Sequence, residues 1–293
     1  TAERAALPNI VPEKDLATAN ALDAASWSTA LCTGAMLGGV VVELHGTNAA
    51  FIIDAFTFAL SAILLRKLSI PQTVEDDLKG PLLTTAFKNI RKGWARIYGE
   101  KRLLRIVFAK SSWNIAGGGL AGVFLLVAGS DIDGFGMALG FGIFFFARGI
   151  GTGIGPIVSR RFFLDEERWP VLVGLLVSVS GLFYFLVGWT LGFNLYLTVV
   201  LVILAHSASG ANWVLSTILT QQWVEDEIRG RVFSMDMLMM SIAFSISSAV
   251  AGYLLENEFF NLQQGFIIFS VIMVASGLFF TLWRPDAIKG TPQ

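Results

Sequence analysis

Eight stretches of the chain hold apolar residues for about the 20 positions that a helix needs to cross roughly 30 Å of hydrocarbon. They cover residues 19–43, 49–65, 104–129, 135–158, 169–189, 195–223, 232–255 and 266–283. The runs are too long for the alternating strands of a membrane barrel, so all eight are predicted to be helices and the fold class all-α. Between spans two and three the period changes. After the polar segment SIPQTVEDDLKGP, residues Phe87, Ile90, Trp94 and Ile97 recur at helical spacing, while Lys88, Arg91, Lys92 and Arg96 point elsewhere. That pattern fits an amphipathic helix on the inner leaflet or a solvated linker helix, and in either case it separates two bundles.

Charge orients this map. Of the 21 Lys and Arg, ten lie between spans two and three, three between four and five, two between six and seven, and four in the tails. The loops on the other side carry none. The positive-inside rule therefore predicts that both ends and the long loop are cytoplasmic. Only Lys110 and Arg148 fall inside spans.

Composition narrows the function classes. Apolar residues make up 54% of the chain and charged residues 15%, against about a quarter charged in soluble domains, so a polytopic membrane protein is expected. A net charge of −1 leaves no basic field for nucleic acid. The single cysteine, Cys32, excludes a disulfide framework, and His45 and His206 have no partner at metal-ligand spacing, so neither metal nor cofactor is expected. The opening TAERAALPNIVPEKD has neither an initiator Met nor a signal segment and is expected to begin within a loop of a longer chain.

The chain also repeats itself. A shift of 213 residues brings Val11 onto Val224, Asp23 onto Asp236, Ser28 onto Ser241, Gly39 onto Gly252 and Glu43 onto Glu256. A shift of 215 brings Phe51-Ile52-Ile53 onto Phe266-Ile267-Ile268. Spans one and two thus correspond to seven and eight. The predicted organisation is residues 1–68 as the last two helices of an N-terminal bundle, 69–102 as a cytoplasmic linker with the amphipathic helix, and 103–293 as a six-helix C-terminal bundle. Two six-helix bundles joined by a cytoplasmic loop make a transporter architecture.

Ionisable and polar residues inside spans mark candidate chemistry, because charge at mid-bilayer costs about 2.5 to 3.5 kcal/mol on insertion scales. Arg148, in FFFARGIGTGIGP, lies near the centre of its span. It is either a counter-charge for an anionic substrate or for a proton-exchanging carboxylate, or half of a structural ion pair. Asp54 could exchange protons or hydrogen-bond a neighbouring helix. Lys110, two turns inside its span, is expected to snorkel to the interface. Span six carries a polar stripe of His206, Ser209, Trp213, Ser216 and Thr220 with Asn212 beside it. Span three offers Trp113 and Asn114 ahead of Gly117-Gly118-Gly119, a weak point in the helix.

Several segments resemble the major facilitator superfamily, in particular its transmembrane secretion effector branch with enterobactin exporters and macrolide-efflux proteins. ALPNIVPEKDLATANAL resembles the segment before helix five, AFKNIRKGWARIYGEKRLLR the linker before helix seven, and QQWVEDEIRGRVFSMD the lead into helix eleven. The resemblance implies a truncated facilitator fold, helices five to twelve of twelve. GAMLGG, with Gly34, Gly38 and Gly39, resembles the antiporter motif of helix five with Ala35 in place of proline. The same resemblance places Trp113, Asn114, Arg148, His206, Ser209, Asn212 and Trp213 around the substrate cavity, with Asp54 and Arg148 in proton coupling. GPIVSRRF resembles a degenerate gating loop, which implies a cytoplasmic gate of Asp23 with Arg160 or Arg161 and, at the equivalent place, Asp236.

The function so implied is secondary active export of a drug, macrolide or siderophore-like molecule by alternating access with proton antiport, by a monomer in the bacterial cytoplasmic membrane. Its partners would be lipid, the small molecule and protons. No P-loop is present to use ATP. The other classes are an importer, an integral-membrane enzyme using Asp54 or His206 as acid or base, and a non-transporting scaffold. The enzyme would need His, Asp or Glu clustered on neighbouring spans, and these residues are isolated in the sequence.

Overall fold

The computed structural model describes residues 2–66, 82–130, 132, 136–162 and 165–283, and among them the regular elements are all helical. In chain order they are α1 Ala2–Ile10, α2 Leu16–His45, α3 Thr47–Leu65, α4 Leu82–Gly99, α5 Lys101–Gly117, a π-helical stretch Gly118–Phe124 continuing into α6 Leu125–Ser130, α7 Met137–Phe162, α8 Trp169–Thr190, α9 Leu195–Trp223, α10 Asp226–Glu256 and α11 Leu262–Leu282. Eight helical segments are long and apolar enough to cross a membrane, with α5, the π stretch and α6 forming one of them. They coincide with the eight runs predicted from hydropathy. The polar connection 69–81, the turn at Asp131, the tail from Arg284 and the side chain of Arg160 lie outside the described residues.

Local sequence sets the helix ends. Asn194 caps α9 by accepting from the Leu197 amide, and Asn261 and Gln264 form a reciprocal capping box at α11. Pro170 occupies the first turn of α8, where its missing N–H costs nothing. Gly46 alone links α2 to α3 at a φ of 79°, a backbone state open to glycine. The two halves of the predicted repeat match in length: α2 and α3 hold 30 and 19 residues, α10 and α11 hold 31 and 21.

The spans from α5 to α11 share one apolar core. Phe124, from the π stretch, touches the rings of Phe260, Phe266 and Phe269, and around it lie Leu120, Phe144, Val177, Tyr184, Val202 and Met273. Helix α2 lies along α7, and α3 has no buried residue. Its exposed Phe51, Phe56 and Phe58 are what an apolar solvent, not water, would cover.

The basic linker differs from either expectation for it. Helix α4 lies on α10 and α5: a Cβ on Gly93 would stand 2.9 Å from the Arg231 carbonyl oxygen, and Ile97 is completely buried among Leu103, Val107, Val232 and Met235. Ile90 and Trp94 pack on that cluster, whereas Phe87 is 70% exposed. The apolar stripe thus finds a protein surface before it finds lipid.

Candidate functional site

The glycines of GIGTGIG sort by helical geometry into two pairs, each four residues apart and so on one face of α7. Gly149 and Gly153 face α2, where added Cβ atoms would lie 2.3 Å from Cys32 Sγ and 3.1 Å from Ser28 Cβ. Gly151 and Gly155 face α9, where they would meet the Ile203 and Ser207 carbonyl oxygens at 2.3 and 2.0 Å. Helix α7 is thereby packed backbone to backbone on both sides, as small residues permit in membranes. Along the α2 face the ties are light: Ser28 Oγ donates to Thr152 Oγ1 at 3.1 Å and Cys32 Sγ to the Phe146 carbonyl at 3.3 Å. Of the motif glycines, Gly39 packs on Ala138, while nothing lies within 4 Å of a Cβ at Gly34 or Gly38.

Arg148 falls at the midpoint of the span Met137–Ser159. It shares the stripe of Phe144, Gly151 and Gly155 that faces α9. Its Nε is buried without a hydrogen-bond partner, its guanidinium carbon lies 5.1 Å from the centre of the Phe145 ring, and Tyr184 and His206 are within electrostatic range. Among the described residues no carboxylate pairs with it.

His206 is 1% exposed. Its Nε2 is 2.6 Å from the Tyr184 hydroxyl and its Nδ1 is 3.3 Å from Ser209 Oγ. Ser209 Oγ also donates to the His206 carbonyl at 3.1 Å, so the imidazole sits between two hydroxyls, one at each ring nitrogen. The Trp113 ring lies 5.8 Å from the imidazole and its Nε1 donates to Ser180 Oγ at 2.9 Å. Four helices therefore converge here, with Trp113 from α5, Arg148 from α7, Tyr184 from α8 and His206 from α9. Sequence reading missed Tyr184 and Ser180, which sit in an apolar run and look like ordinary core.

Lys110 does not snorkel. Its ammonium donates to Asp236 Oδ2 at 2.7 Å, with both side chains 3% exposed, and lies 4.3 Å from the centre of the Trp213 ring. Facing α10 rather than lipid, it gains a counter-ion that the interface could not offer. The guanidinium of Arg4 is also 4.3 Å from the Trp213 ring. Asp236 thus has a partner 126 residues away on α5. Asp23 is half-buried and Arg161 exposed, and among the described side chains they form no ion pair.

The remaining candidates are spread out. Asn212 donates to the Val173 carbonyl at 2.6 Å, across to α8. Asn114 is half-buried. Asp54 is exposed on α3, and only its backbone carbonyl is engaged, by Thr57. The weak point predicted at Gly117–Gly119 is the entry to the π stretch. Each glycine there admits a different neighbour: the Trp113 ring, the Phe244 carbonyl and the Phe269 ring would meet added Cβ atoms at 2.3, 2.1 and 2.6 Å. The loosened backbone finds hydroxyls on α10, with Ser247 Oγ accepting from the Gly119 amide at 3.0 Å and Ser248 Oγ donating to the Gly118 carbonyl at 2.9 Å.

At the arginine-rich end, polar ties cross between α1 or α2 and the larger bundle. Gln221 donates to the Arg4 carbonyl at 2.9 Å and accepts from Asn20 at 2.7 Å. Asn9 donates to Asp226 at 2.9 Å, and Arg229 donates to both Asp226 and the Ala5 carbonyl. Close by, Arg96 of α4 binds Glu225 and Glu100 at 3.0 and 2.7 Å. Its hydrogen bond holds the Glu225 carboxyl below the usual carboxylate range. Burial opposes ionisation of Glu100, yet hydrogen bonds from Arg102 and Arg96 hold it low as well.

Eight apolar helices, six of them around one core and the first lying against it on small residues, define a polytopic membrane protein of the facilitator type. The sequence profile of the Major Facilitator Superfamily matches residues 1–201 and 163–293, so the chain belongs to that superfamily. It is 25% identical over 294 residues to "Uncharacterized MFS-type transporter y4rN" of Sinorhizobium fredii, covering 97% of this chain and 67% of that protein. With "Uncharacterized MFS-type transporter YkuC" of Bacillus subtilis it shares 24% over 203 residues, 64% of this chain and 45% of that one. With "Putative bacilysin exporter BacE" of the same species it shares 23% over 269 residues, 91% and 63%. The chain thus spans about half to two thirds of the length of these relatives.

Proposed function

We propose that this chain belongs to a secondary transporter that exports a small molecule across the bacterial cytoplasmic membrane by alternating access, in exchange for protons. One observation carries the reading. Helix α2 meets α7 through small residues along most of its length, whereas the directional ties from α1 and α2 to α9 and α10 are gathered at the arginine-rich end. Such an interface can rock, and it opens at one end when a handful of hydrogen bonds break. The positive-inside rule makes that end cytoplasmic, and Asp23, Arg160 and Arg161 are its candidate gate residues, whereas Asp236 is taken by Lys110 within the second bundle. Residues 1–68 are then the close of one bundle and 103–293 a second, joined by the α4 linker.

The four-helix site of Trp113, Arg148, Tyr184 and His206 is the part of the second bundle best suited to face cargo. The superfamily and the name of the bacilysin relative support a transporter that exports. The substrate would be drug-like, a macrolide or a siderophore-like molecule. Everted vesicles expressing the complete reading frame that contains this chain are expected to acidify when energised and to lose part of that proton gradient on addition of a cargo from a panel of drug-like molecules that includes carboxylates. An unaltered gradient across a panel of such compounds, with expression confirmed, would refute proton-coupled export.

A further inference from the structure

Arg148 poses a chemical problem that the fold leaves open. It is a permanent cation at the centre of a membrane span. The residue is half-buried, a charge at that depth asks for a partner, and none of the described carboxylates supplies one. His206 and Tyr184, hydrogen-bonded to each other at 2.6 Å, are an imidazole and a phenol and not carboxylates, so neither neighbour offsets the guanidinium. Its Nε points into the protein with no acceptor. Phe145 lies against the guanidinium, and behind the imidazole is the buried ring of Trp113. A cation with an unspent donor, next to an aromatic ring and hydrogen-bonding groups, is a receptor for an anion on an otherwise apolar molecule.

We propose that Arg148 binds a carboxylate, or an equally compact anionic group, of the molecule this protein carries. The planar guanidinium grips the anion, and the ring of Phe145 takes the adjoining apolar part. That the anion belongs to the cargo rests on the transport reading; the binding itself does not.

The test uses the complete protein in phosphatidylcholine nanodiscs and three probes of one shape: 4-phenylbutyrate, the neutral 4-phenylbutyramide and the cationic 4-phenylbutylamine. Titration calorimetry is expected to show the carboxylate binding about tenfold or more tighter than the amide, as a charge-assisted hydrogen bond away from water should, and the amine weakest. Arg148→Gln should erase that preference, and Arg148→Lys, which keeps charge but loses the fork, should retain part of it. Equal affinities in the unaltered protein, no carboxylate binding at all, or an unchanged preference in Arg148→Gln would each overturn the proposal. Thermal unfolding without ligand guards against a purely structural role. Removing an unpartnered cation should leave the midpoint unchanged or raise it, whereas a fall in Arg148→Gln that Arg148→Lys reverses would mark a fixed internal ion pair and also overturn the proposal. Carboxylate preference without any transport would count against the export reading alone.

Discussion

Lys110 and Asp236 form an ion pair at 2.7 Å between α5 and α10, each 3% exposed, and Asp236 Oδ1 is left buried without a hydrogen bond. The pair is neutral as a whole, so the cost of burying it appears only when one member is lost. Lys110→Met or Asp236→Asn alone should destabilise the protein by about 3–5 kcal/mol, while a double change to Met and Leu should recover most of that. Denaturation midpoints of the purified variants in detergent provide the measurement. Additive losses would show that the two charges do not depend on each other.

Packing of α2 on α7 can be read through Cys32. Its thiol is buried against Phe146 and Gly149, and it should react slowly with N-ethylmaleimide in membranes. Gly149→Val puts a branched side chain where a single Cβ already lies 2.3 Å from the sulfur. Labelling should then accelerate several-fold as the helices part, and an unchanged rate would mean that they separate readily without it.

Docking of α4 should depend on acid. The Glu225 carboxyl titrates below its ordinary value because Arg96 holds it, and Glu100 does so because Arg102 and then Arg96 outweigh its burial. Their contribution is therefore complete above the unfolded carboxylate value of about 4.3 and is lost as pH falls through the depressed folded values. Backbone amides of α4 should exchange hydrogen slowly at pH 6 and faster below about pH 4 once intrinsic rates are corrected. Arg96→Gln should show the faster exchange already at pH 6. Protection that does not vary with pH in the unaltered protein would assign docking to Ile97 and Trp94 alone.

Hydropathy and charge carried most of the fold because a membrane leaves few choices: an apolar run of sufficient length has to be a helix with its ends in polar surroundings. Arg148 stood out for the same reason, since a mid-span charge asks for a partner or a task. Its neighbours did not. Tyr184 is 22 residues from His206 and Lys110 is 126 from Asp236, and nothing local in the sequence says which helix faces which. The family resemblance put Asn212 near the cavity, beside the stripe of His206, and its amide binds an α8 carbonyl, a partner without any side-chain signature. Phe87 fits the amphipathic period of α4 but overshoots the surface on which that helix rests.

The π-helical stretch of Gly118–Phe124 carries one residue more than an α-helical register would accommodate. Passing that surplus residue to either end would turn the side chains it passes by about 100° about the helix axis, taking Leu120, Phe124 or Leu125 out of the core they fill. The serines on α10 already supply the hydroxyls that would catch freed peptide groups. Trp113 precedes this stretch, Phe124 closes it, and both fill one buried core. The widened turn is therefore pinned by aromatic packing on one face and by two serine hydroxyls on another.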